Sequence, residues 1–243
     1  MRSREENLER LRQSRREITP GQKFGVQDFA PEHAPGIAAL FYAVYGENFP
    51  VDSVYDPELI IQDNASRQML HFVGRTESGD IVGLHALFRN PPGKNIMEAG
   101  SWIVLPAYRN TTLAVRLAQR TLGPGAAQFG LHVVYTQNVC DHLISQKVSD
   151  KFKFITGALE LEAMPPRPDD ARSEPDVRIT LADAFMIRQD APQAVRLPAA
   201  YADTLRRMYA SWGLNREYLD DGPPAGESRT DAQRMDRASL ARM

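Results

Sequence analysis

The residues best placed for chemistry form a turn between a predicted strand and a predicted helix, in the segment "IVLPAYRNTTLAVRLAQR" at 103–120. The apolar run ends at Pro106, and a helical pattern begins a few residues later. The first turn of a helix offers free backbone N–H groups and the positive end of the helix dipole, which together suit a pyrophosphate. Arg109 could add a charge-assisted contact, and Thr111 and Thr112 could cap the helix. A capping threonine beside a solvated arginine is the purely structural alternative.

A single carboxylate precedes this turn within the same apolar strand. Glu98 lies in "NIMEAGSWIVL", six residues before Val104. The pleat of a regular strand would place Glu98 on the face of Gly100, Trp102 and Val104. Burial there would raise its pKa toward the value useful for a general base. The alternative is a structural hydrogen bond across the sheet.

Composition limits the classes of protein that these residues could serve. The chain has 243 residues, of which 42% are hydrophobic, and a formal net charge of −2. This balance argues against a chain built as a whole to bind nucleic acid. One cysteine permits no intrachain disulfide, so a cytoplasmic setting is expected. No apolar run approaches the roughly 20 residues of a membrane helix, and no secretory signal core is seen at the N-terminus.

The order of predicted elements indicates one mixed α/β sheet flanked by helices. Two helices follow a first strand, and three strands then form a meander whose first turn is "ESGD" at 77–80. After the turn in the segment 103–120, the remaining elements largely alternate between helix and strand. We divide the chain into a charged helical arm, a central α/β domain, a C-terminal helix that packs on the domain or at a homodimer contact, and a polar, disordered tail, at 1–21, 22–190, 191–218 and 219–243.

The segment "MEAGSWIVLPAYRNTTLAVRLAQ" resembles the central motif of the GNAT superfamily of N-acetyltransferases. That motif is a strand with a glutamate, then Val-x-Pro-x-Tyr-Arg, then Gly-x-Gly and a helix. Glu98, Pro106, Tyr108 and Arg109 fall in register with it. "HLISQKVSDKFKF", followed by "ITGALEL", is similar to the later helix and strand of the family. The resemblance covers about residues 22–190.

The resemblance implies a mostly antiparallel sheet in which a parallel pair of strands splays apart, with acyl-coenzyme A in the gap. Acetyl-CoA is the expected donor, and an amine of a small molecule or a protein would attack its thioester directly. Glu98 would deprotonate the amine through water. The implied cofactor contacts are the backbone of Ile103, Val104 and Leu105 for the pantetheine, and the N–H groups of Arg109, Asn110, Thr111, Thr112, Leu113 and Ala114 for the pyrophosphate.

The chain departs from the family pattern at several positions. Asn110 and Thr112 stand where the family has glycines, and glycine permits close approach and positive φ. Ser149 stands where many members have a catalytic tyrosine. His142 stands where many have asparagine, and we assign it a catalytic role, in contacting the pantetheine or relaying a proton, against the alternative of simple packing. These departures keep open a second function, a non-catalytic acyl-CoA-binding or protein-interaction module.

Three further features are weighed against structural alternatives. His85, in "GLHALF", could face the substrate cleft or the opposite helix layer. Cys140 is expected to be an inert, semi-buried thiol. The carboxylates of the loop "YGENFPVDSVYD" at 45–56 would suit a cationic acceptor, unless the loop is simply solvated. The histidines and the cysteine show no spacing typical of metal ligands, so we expect no metal.

Overall fold

The computed structural model describes residues 2–14, 17–91, 93–141, 143–166 and 177–219. The chain divides into two compact units, Met1–Met186 and Ile187–Met243. From residue 220 onward, the predicted polar tail lies outside the described residues. Within the described residues, no helix has both the length and the apolar character needed to cross a membrane.

A seven-stranded mixed sheet forms the centre of the first unit, as the order of elements predicts. Its strands lie in the order β1-β2-β3-β4-β5-β7-β6. Neighbours from β1 to β4 are antiparallel, β4 and β5 are parallel, and β6 and β7 are antiparallel. The strands are β1 (Phe24–Asp28), β2 (Met69–Thr76), β3 (Ile81–Phe88), β4 (Ile96–Val104), β5 (Val133–Val139), β6 (Ile155–Met164) and β7 (Ile179–Ile187).

Helices cover both faces of this sheet. Local signals mark where α3 begins. The Asp56 side chain accepts from the Glu58 N–H at 2.9 Å, and Pro57 occupies the first helical position. A π-helical segment, Thr121–Gly125, joins α4 to α5. The helices are α1 (Arg4–Gln13), α2 (Ala34–Tyr45), α3 (Pro57–Ala65), α4 (Leu113–Arg120), α5 (Ala126–Gln128) and α6 (Ile144–Lys151).

Helix α2 buries the apolar stripe that its sequence period predicts. Ile37, Leu40 and Phe41 are at most 1% exposed, and Val44 is partly buried. They belong to a cluster that includes Leu84 of β3. This layer covers one face of the sheet and leaves the other face to α4.

Two glycines bring α4 close to the opposite face. Gly74 and Gly83 are cross-strand partners on β2 and β3. A Cβ added to Gly74 would lie 2.5 Å from Leu113 Cδ1, and one added to Gly83 would lie 2.9 Å from Leu117 Cδ1. Such separations are shorter than any packed contact, so these glycines set how deeply the start of α4 sits. Because the turn at 106–112 leads directly into α4, this packing also fixes the position of the last residues of the turn.

Within the first unit, the N-terminal helix α1 packs against α2. Leu8 is 3% exposed and joins the α2 cluster. Arg4 pairs with Asp52, and its Nη2 donates to the Phe49 carbonyl at 2.9 Å. Arg12 pairs with Glu47 at 2.7 Å. Of the three loop carboxylates considered for a cationic acceptor, Asp52 and Glu47 are therefore already paired with arginines of α1, and Asp56 caps α3.

Truncation of Leu8 tests this docking. Leu8→Ala is expected to lower the free energy of unfolding by about 2–3 kcal/mol, because a buried leucine leaves a cavity. Leu143→Ala is the matched control, since Leu143 is 61% exposed and its loss is expected to change stability by less than about 0.5 kcal/mol. Urea unfolding measures both, and equal values for the two variants would contradict a docked α1.

The second unit contains α7 (Ala202–Ser211) and a short parallel pair, β8 (Gln193–Val195) and β9 (Arg216–Tyr218). The helix ends before Gly213, whose φ of +69° places it in the left-handed region. Asp190 accepts from Arg216 at 2.8 Å and from the Asn215 N–H at 2.7 Å. These hydrogen bonds lower the pKa of Asp190. They join the loop before β8 to the start of β9.

Candidate active site

The sheet opens between β4 and β5. Their parallel register runs from Ile96 and Val133 to Glu98 and Tyr135. The Thr136 hydroxyl then donates to the Ala99 carbonyl at 2.9 Å, while β4 continues to Val104. A gap between the later halves of the two strands follows, as the resemblance predicts. Glu98 lies at the point where the gap begins.

A β-bulge in β4 changes which residues face the gap. Ser101 has φ of +46°, and the register with β3 shifts between Leu84 and Ala86. Trp102 therefore packs in the cluster of Met97 and Ala99, and its Nε1 donates to the Ala114 carbonyl at 3.1 Å. The prediction from a regular pleat that Glu98 shares a face with Trp102 and Val104 is wrong, because the extra residue reverses the alternation.

The turn after β4 keeps its shape without glycine. It is a 3₁₀ turn, Pro106–Tyr108, followed by Arg109–Thr112 and the start of α4. Among the described residues the positive-φ positions lie elsewhere, and Thr112 has φ of −75°. Buried Tyr108 anchors the turn, since its hydroxyl donates to the Thr19 carbonyl at 3.0 Å. Asn110 and Thr112 thus occupy ordinary right-handed or extended backbone, where glycine is not required.

Four backbone N–H groups at this turn find no acceptor within the described part of the chain: those of Asn110, Thr112, Ala114 and Val115. The Leu113 N–H donates instead to Thr111 Oγ1 at 3.2 Å, and that hydroxyl donates to the Tyr108 carbonyl at 2.7 Å. Thr111, rather than Thr112, is the side chain that caps α4. The free N–H groups and the helix dipole suit an anion.

Arg109 lies exposed beside this turn, and its Nε donates to the Val104 carbonyl at 3.3 Å. The Leu105 N–H donates to the Val82 carbonyl at 2.9 Å, so the residue that follows β4 is still held by β3. Ile103 is buried in the α2 cluster. Binding of the pantetheine by the backbone of these residues stays a prediction.

The carboxyl group of Glu98 occupies a desolvated, negatively charged environment. Asn90 Nδ2 donates to its Oε2 at 2.8 Å. Burial raises the pKa of Glu98, and the carboxylates of Asp183 and Glu160 raise it further. A Cβ on Gly100 would lie 3.0 Å from the Phe88 ring and 3.6 Å from Glu98 Oε1, so glycine allows the Phe88 ring to lie close to the strand beside Glu98. A carboxylate with a raised pKa is a better proton acceptor near neutral pH.

The prediction from sequence did not include the other members of this acidic cluster. Tyr135 is on β5, Asp183 on β7 and Glu160 on β6, and burial and the nearby Asp183 carboxylate raise the pKa of Glu160. Burial and the three carboxylates raise the pKa of Tyr135. Asp183 is an isolated charge within the apolar run "ITLADAF", just as Glu98 is an isolated charge within its own strand. That signal could have identified Asp183 as well.

The remaining candidates lie apart from this cluster. His142 falls outside the described residues. Ser149 is buried, and its Oγ donates to Asn138 Oδ1 at 2.9 Å. His85 faces α4 rather than the cleft, with a hydrogen bond to the Leu117 backbone and a ring centroid 5.7 Å from that of Trp102. Cys140 is exposed, not semi-buried, and partial desolvation raises its thiol pKa.

These features define an α/β protein whose sheet opens between two parallel strands, next to a helix N-terminus with free N–H groups that suit an anion. Residues 36–154 match the model of the acetyltransferase (GNAT) family. The chain therefore contains a GNAT-type acetyltransferase domain over these residues, as its sequence motif predicts. No curated protein sequence matches it.

Solved structures share the fold at low sequence identity. An N-acetyltransferase from Staphylococcus aureus Mu50 is 16% identical, with a TM-score of 0.56 over 69% of this chain and 99% of that chain. A ribosomal-protein-S5-alanine acetyltransferase from Vibrio fischeri is 13% identical, with a TM-score of 0.55 over 72% and 97%. Mutant forms of the spermidine/spermine N-acetyltransferase SpeG from Vibrio cholerae are 14% identical, with a TM-score of 0.54 over 68% and 95%.

Proposed function

We propose that this protein transfers an acetyl group from acetyl-CoA to an amine by direct attack. The observation that carries the proposal is the proximity of two features along β4. The strand leaves its parallel partner at Glu98, and the same strand ends in a turn with four free N–H groups. One feature supports proton transfer, and the other supports binding of a pyrophosphate.

The turn supports donor binding through its backbone. The N–H groups of Asn110, Thr112 and Ala114 would hold the pyrophosphate, with Arg109 adding positive charge. The β4 backbone at 103–105 would pair with the pantetheine. Acetyl-CoA would supply the acyl group as a thioester in the gap between β4 and β5.

Glu98 would take the proton that the attacking amine must lose. The amine nitrogen forms a bond to the thioester carbonyl carbon, the carbon–sulfur bond breaks, and the sulfur leaves as a thiolate. The thiolate then takes up the second proton, which the nitrogen loses as the amide forms. Glu98 receives the ammonium proton through a water molecule and later returns it to solvent. Because a thiol has a pKa of about 8.5, the thiolate is a tolerable leaving group without a strong acid. Ser149, held by Asn138, is therefore not required as an acid.

Among the structural neighbours are a spermidine/spermine N-acetyltransferase and a ribosomal-protein-S5-alanine acetyltransferase. Their acceptors support an amine as the class of substrate. Both a small-molecule amine and an amine of a protein are acceptors that fit this proposal.

A carboxylate introduced at the turn tests donor binding. Thr112→Asp is expected to weaken acetyl-CoA binding at least about tenfold, or about 1.4 kcal/mol, because the carboxylate takes the place of the phosphates. Folding should be preserved, since Thr112 makes no capping hydrogen bond and aspartate is a good N-cap. Calorimetric titration with acetyl-CoA measures the effect.

Gln119→Glu on the exposed side of α4 is the matched control and is expected to bind within about twofold of the wild type. Equal affinity of Thr112→Asp and wild type would contradict a phosphate site at this turn. Release of free thiol in the presence of an amine panel then separates the enzyme from its alternative. Tight binding of acetyl-CoA with no thiol release from any amine would favour a non-catalytic acyl-CoA-binding module.

A further inference from the structure

The acidic cluster contains more negative charge than a single ammonium group needs. Glu98, Glu160 and Asp183 come from three different strands and interact around Tyr135. In the described part of the chain, none of the three carboxylates is paired with an arginine, lysine or histidine. Asp183 is buried and Glu98 is half-buried, whereas Glu160 is exposed. Carboxylates removed from water are costly to collect without a counter-charge, so a cationic occupant would relieve the arrangement.

One oxygen of this cluster lacks a hydrogen-bond partner. Asp183 is 8% exposed, and its Oδ1 is buried with no donor within reach among the described residues. Asp183 and Phe185 alternate onto the same face of β7, so Asp183 lies on the side of the sheet where Phe185 stacks on Tyr135. Buried polar atoms are nearly always satisfied, and an orphaned acceptor in a cleft is a place for a donor on a ligand.

Aromatic rings form a wall of the same cluster. Tyr135 of β5 stacks on Phe185 of β7, with ring centroids 5.7 Å apart and an interplanar angle of 28°. Phe185 lies two residues after Asp183, so both side chains project from the same face of β7. An alkylammonium group beside such rings gains cation–π attraction in addition to its contact with carboxylates.

Glu98 lies apart from Asp183 and Glu160, so the reacting nitrogen and a second cationic group of the acceptor could bind at different places. Glu98 stands at the opening between β4 and β5, where their parallel pairing ends. Asp183 and Glu160 belong to β7 and β6, beyond β5 in the sheet. Since neighbouring strands lie about 4.8 Å apart, Asp183 is anchored two strands, or roughly 10 Å, from Glu98. A short carbon chain can place one nitrogen near each.

We propose that the acceptor is a diamine or another amine with a second cationic group, and that Asp183 and Glu160 bind the charge that does not react. Resting on the proposed function, this inference assigns the substrate class of the same cleft. The reacting nitrogen lies near Glu98, and the distal ammonium donates to Asp183 Oδ1 against the ring of Tyr135. The charges of the loop at 47–52 take no part, because α1 already pairs them.

The test compares four acceptors of similar length: 1,4-diaminobutane, 4-amino-1-butanol, butylamine and 4-aminobutanoate. The protein with acetyl-CoA is expected to show kcat/KM at least tenfold higher for 1,4-diaminobutane than for butylamine or 4-amino-1-butanol, and lowest for 4-aminobutanoate. Asp183→Asn and Glu160→Gln are each expected to reduce the ratio of diamine to butylamine at least tenfold. Glu77→Gln, which removes one exposed carboxylate in the turn between β2 and β3, is the control and should keep that ratio.

Binding measured without turnover distinguishes this inference from the proposed function. Calorimetric titration of 1,4-diaminobutane into the protein should show binding that Asp183→Asn weakens at least tenfold, with thermal unfolding confirming that the variant is folded. Diamine binding with this dependence, but no thiol release from any amine, would support the inference and overturn the proposed function. Acetyl transfer with equal kcat/KM for 1,4-diaminobutane and butylamine would overturn the inference and leave the proposed function standing. Absence of both binding and transfer of the diamine would also overturn the inference.

Discussion

Replacing Glu98 with glutamine is expected to lower kcat for acetyl transfer by about 100- to 10,000-fold, the usual contribution of a general base. Acetyl-CoA should still bind, because the turn at 106–114 is untouched. Glutamine keeps the size of the side chain and can still accept from Asn90, whose amide lies 2.8 Å from Glu98 Oε2. Steady-state kinetics with the best acceptor, together with calorimetric titration of acetyl-CoA, measure the two effects.

The pH dependence gives this prediction a second readout. Burial raises the pKa of Glu98, so the wild-type enzyme should lose activity on acidification at a higher pH than a solvated glutamate would permit. That acidic limb should disappear in Glu98→Gln. Stability should move in the opposite direction. A folded-state pKa above the unfolded value gives a stabilising contribution that is complete below the unfolded pKa and is lost as pH rises through the folded pKa. Glu98→Gln should therefore be at least as stable as wild type at neutral pH.

Glu98→Asp is the matched variant, because it retains a carboxylate but withdraws it by one methylene group. We expect its activity to lie between those of wild type and Glu98→Gln. If Glu98→Gln kept more than about a third of the wild-type kcat with an unchanged pH profile, the role of Glu98 as the base would be wrong.

Acidification from pH 7 to pH 5 is expected to remove about 4 kcal/mol of stability through two buried histidines. Burial lowers the pKa of His71 to about 3 and that of His85 to about 3. His71 Nδ1 contacts the Asn64 amide at 2.7 Å, and His85 Nδ1 is buried with no partner among the described residues. Neither ring can readily take a second proton without opening the fold.

The sign follows from the direction of these shifts. A lowered histidine pKa means that the unfolded chain binds protons between about pH 6.5 and pH 3 while the folded chain does not. Stability is thus lost as pH falls below 6.5, by up to about 1.4 kcal/mol per pH unit for each histidine. The raised pKa values of Glu98 and Glu160 act in the opposite sense. They stabilise the folded state as pH falls and so reduce the net slope.

His85→Leu tests this linkage by removing one titrating group of similar size. The change in unfolding free energy between pH 7 and pH 5 should become smaller by about 2 kcal/mol. His132→Gln is the control, because His132 is half-buried in the segment that leads into β5. Urea unfolding at several pH values provides the measurement. A slope for His85→Leu identical to that of wild type would show that His85 titrates normally in the folded protein.

Sequence reasoning worked where the signal was local. The order of strands and helices, the left-handed Gly79 in the turn after β2 with φ of +94°, and the Asp56 cap of α3 all follow from neighbouring residues. The prediction of an acetyltransferase domain followed from two short motifs at consistent spacing. Local rules failed at the β4 bulge, because Ser101 has a positive φ and serine is not a residue type that predicts one.

The amino-acid sequence by itself determined the class of fold, the turn after β4 and the candidate base Glu98. The tertiary structure decided what surrounds them. It placed Glu160 and Asp183 beside Tyr135, because strand order in a sheet is not strand order in the chain. It also paired the loop carboxylates Glu47 and Asp52 with arginines of α1, far away in sequence. The net charge of a cleft depends on residues that are distant in sequence and meet only in the folded protein. For this reason, only the structure could show which carboxylates would bind a cationic acceptor.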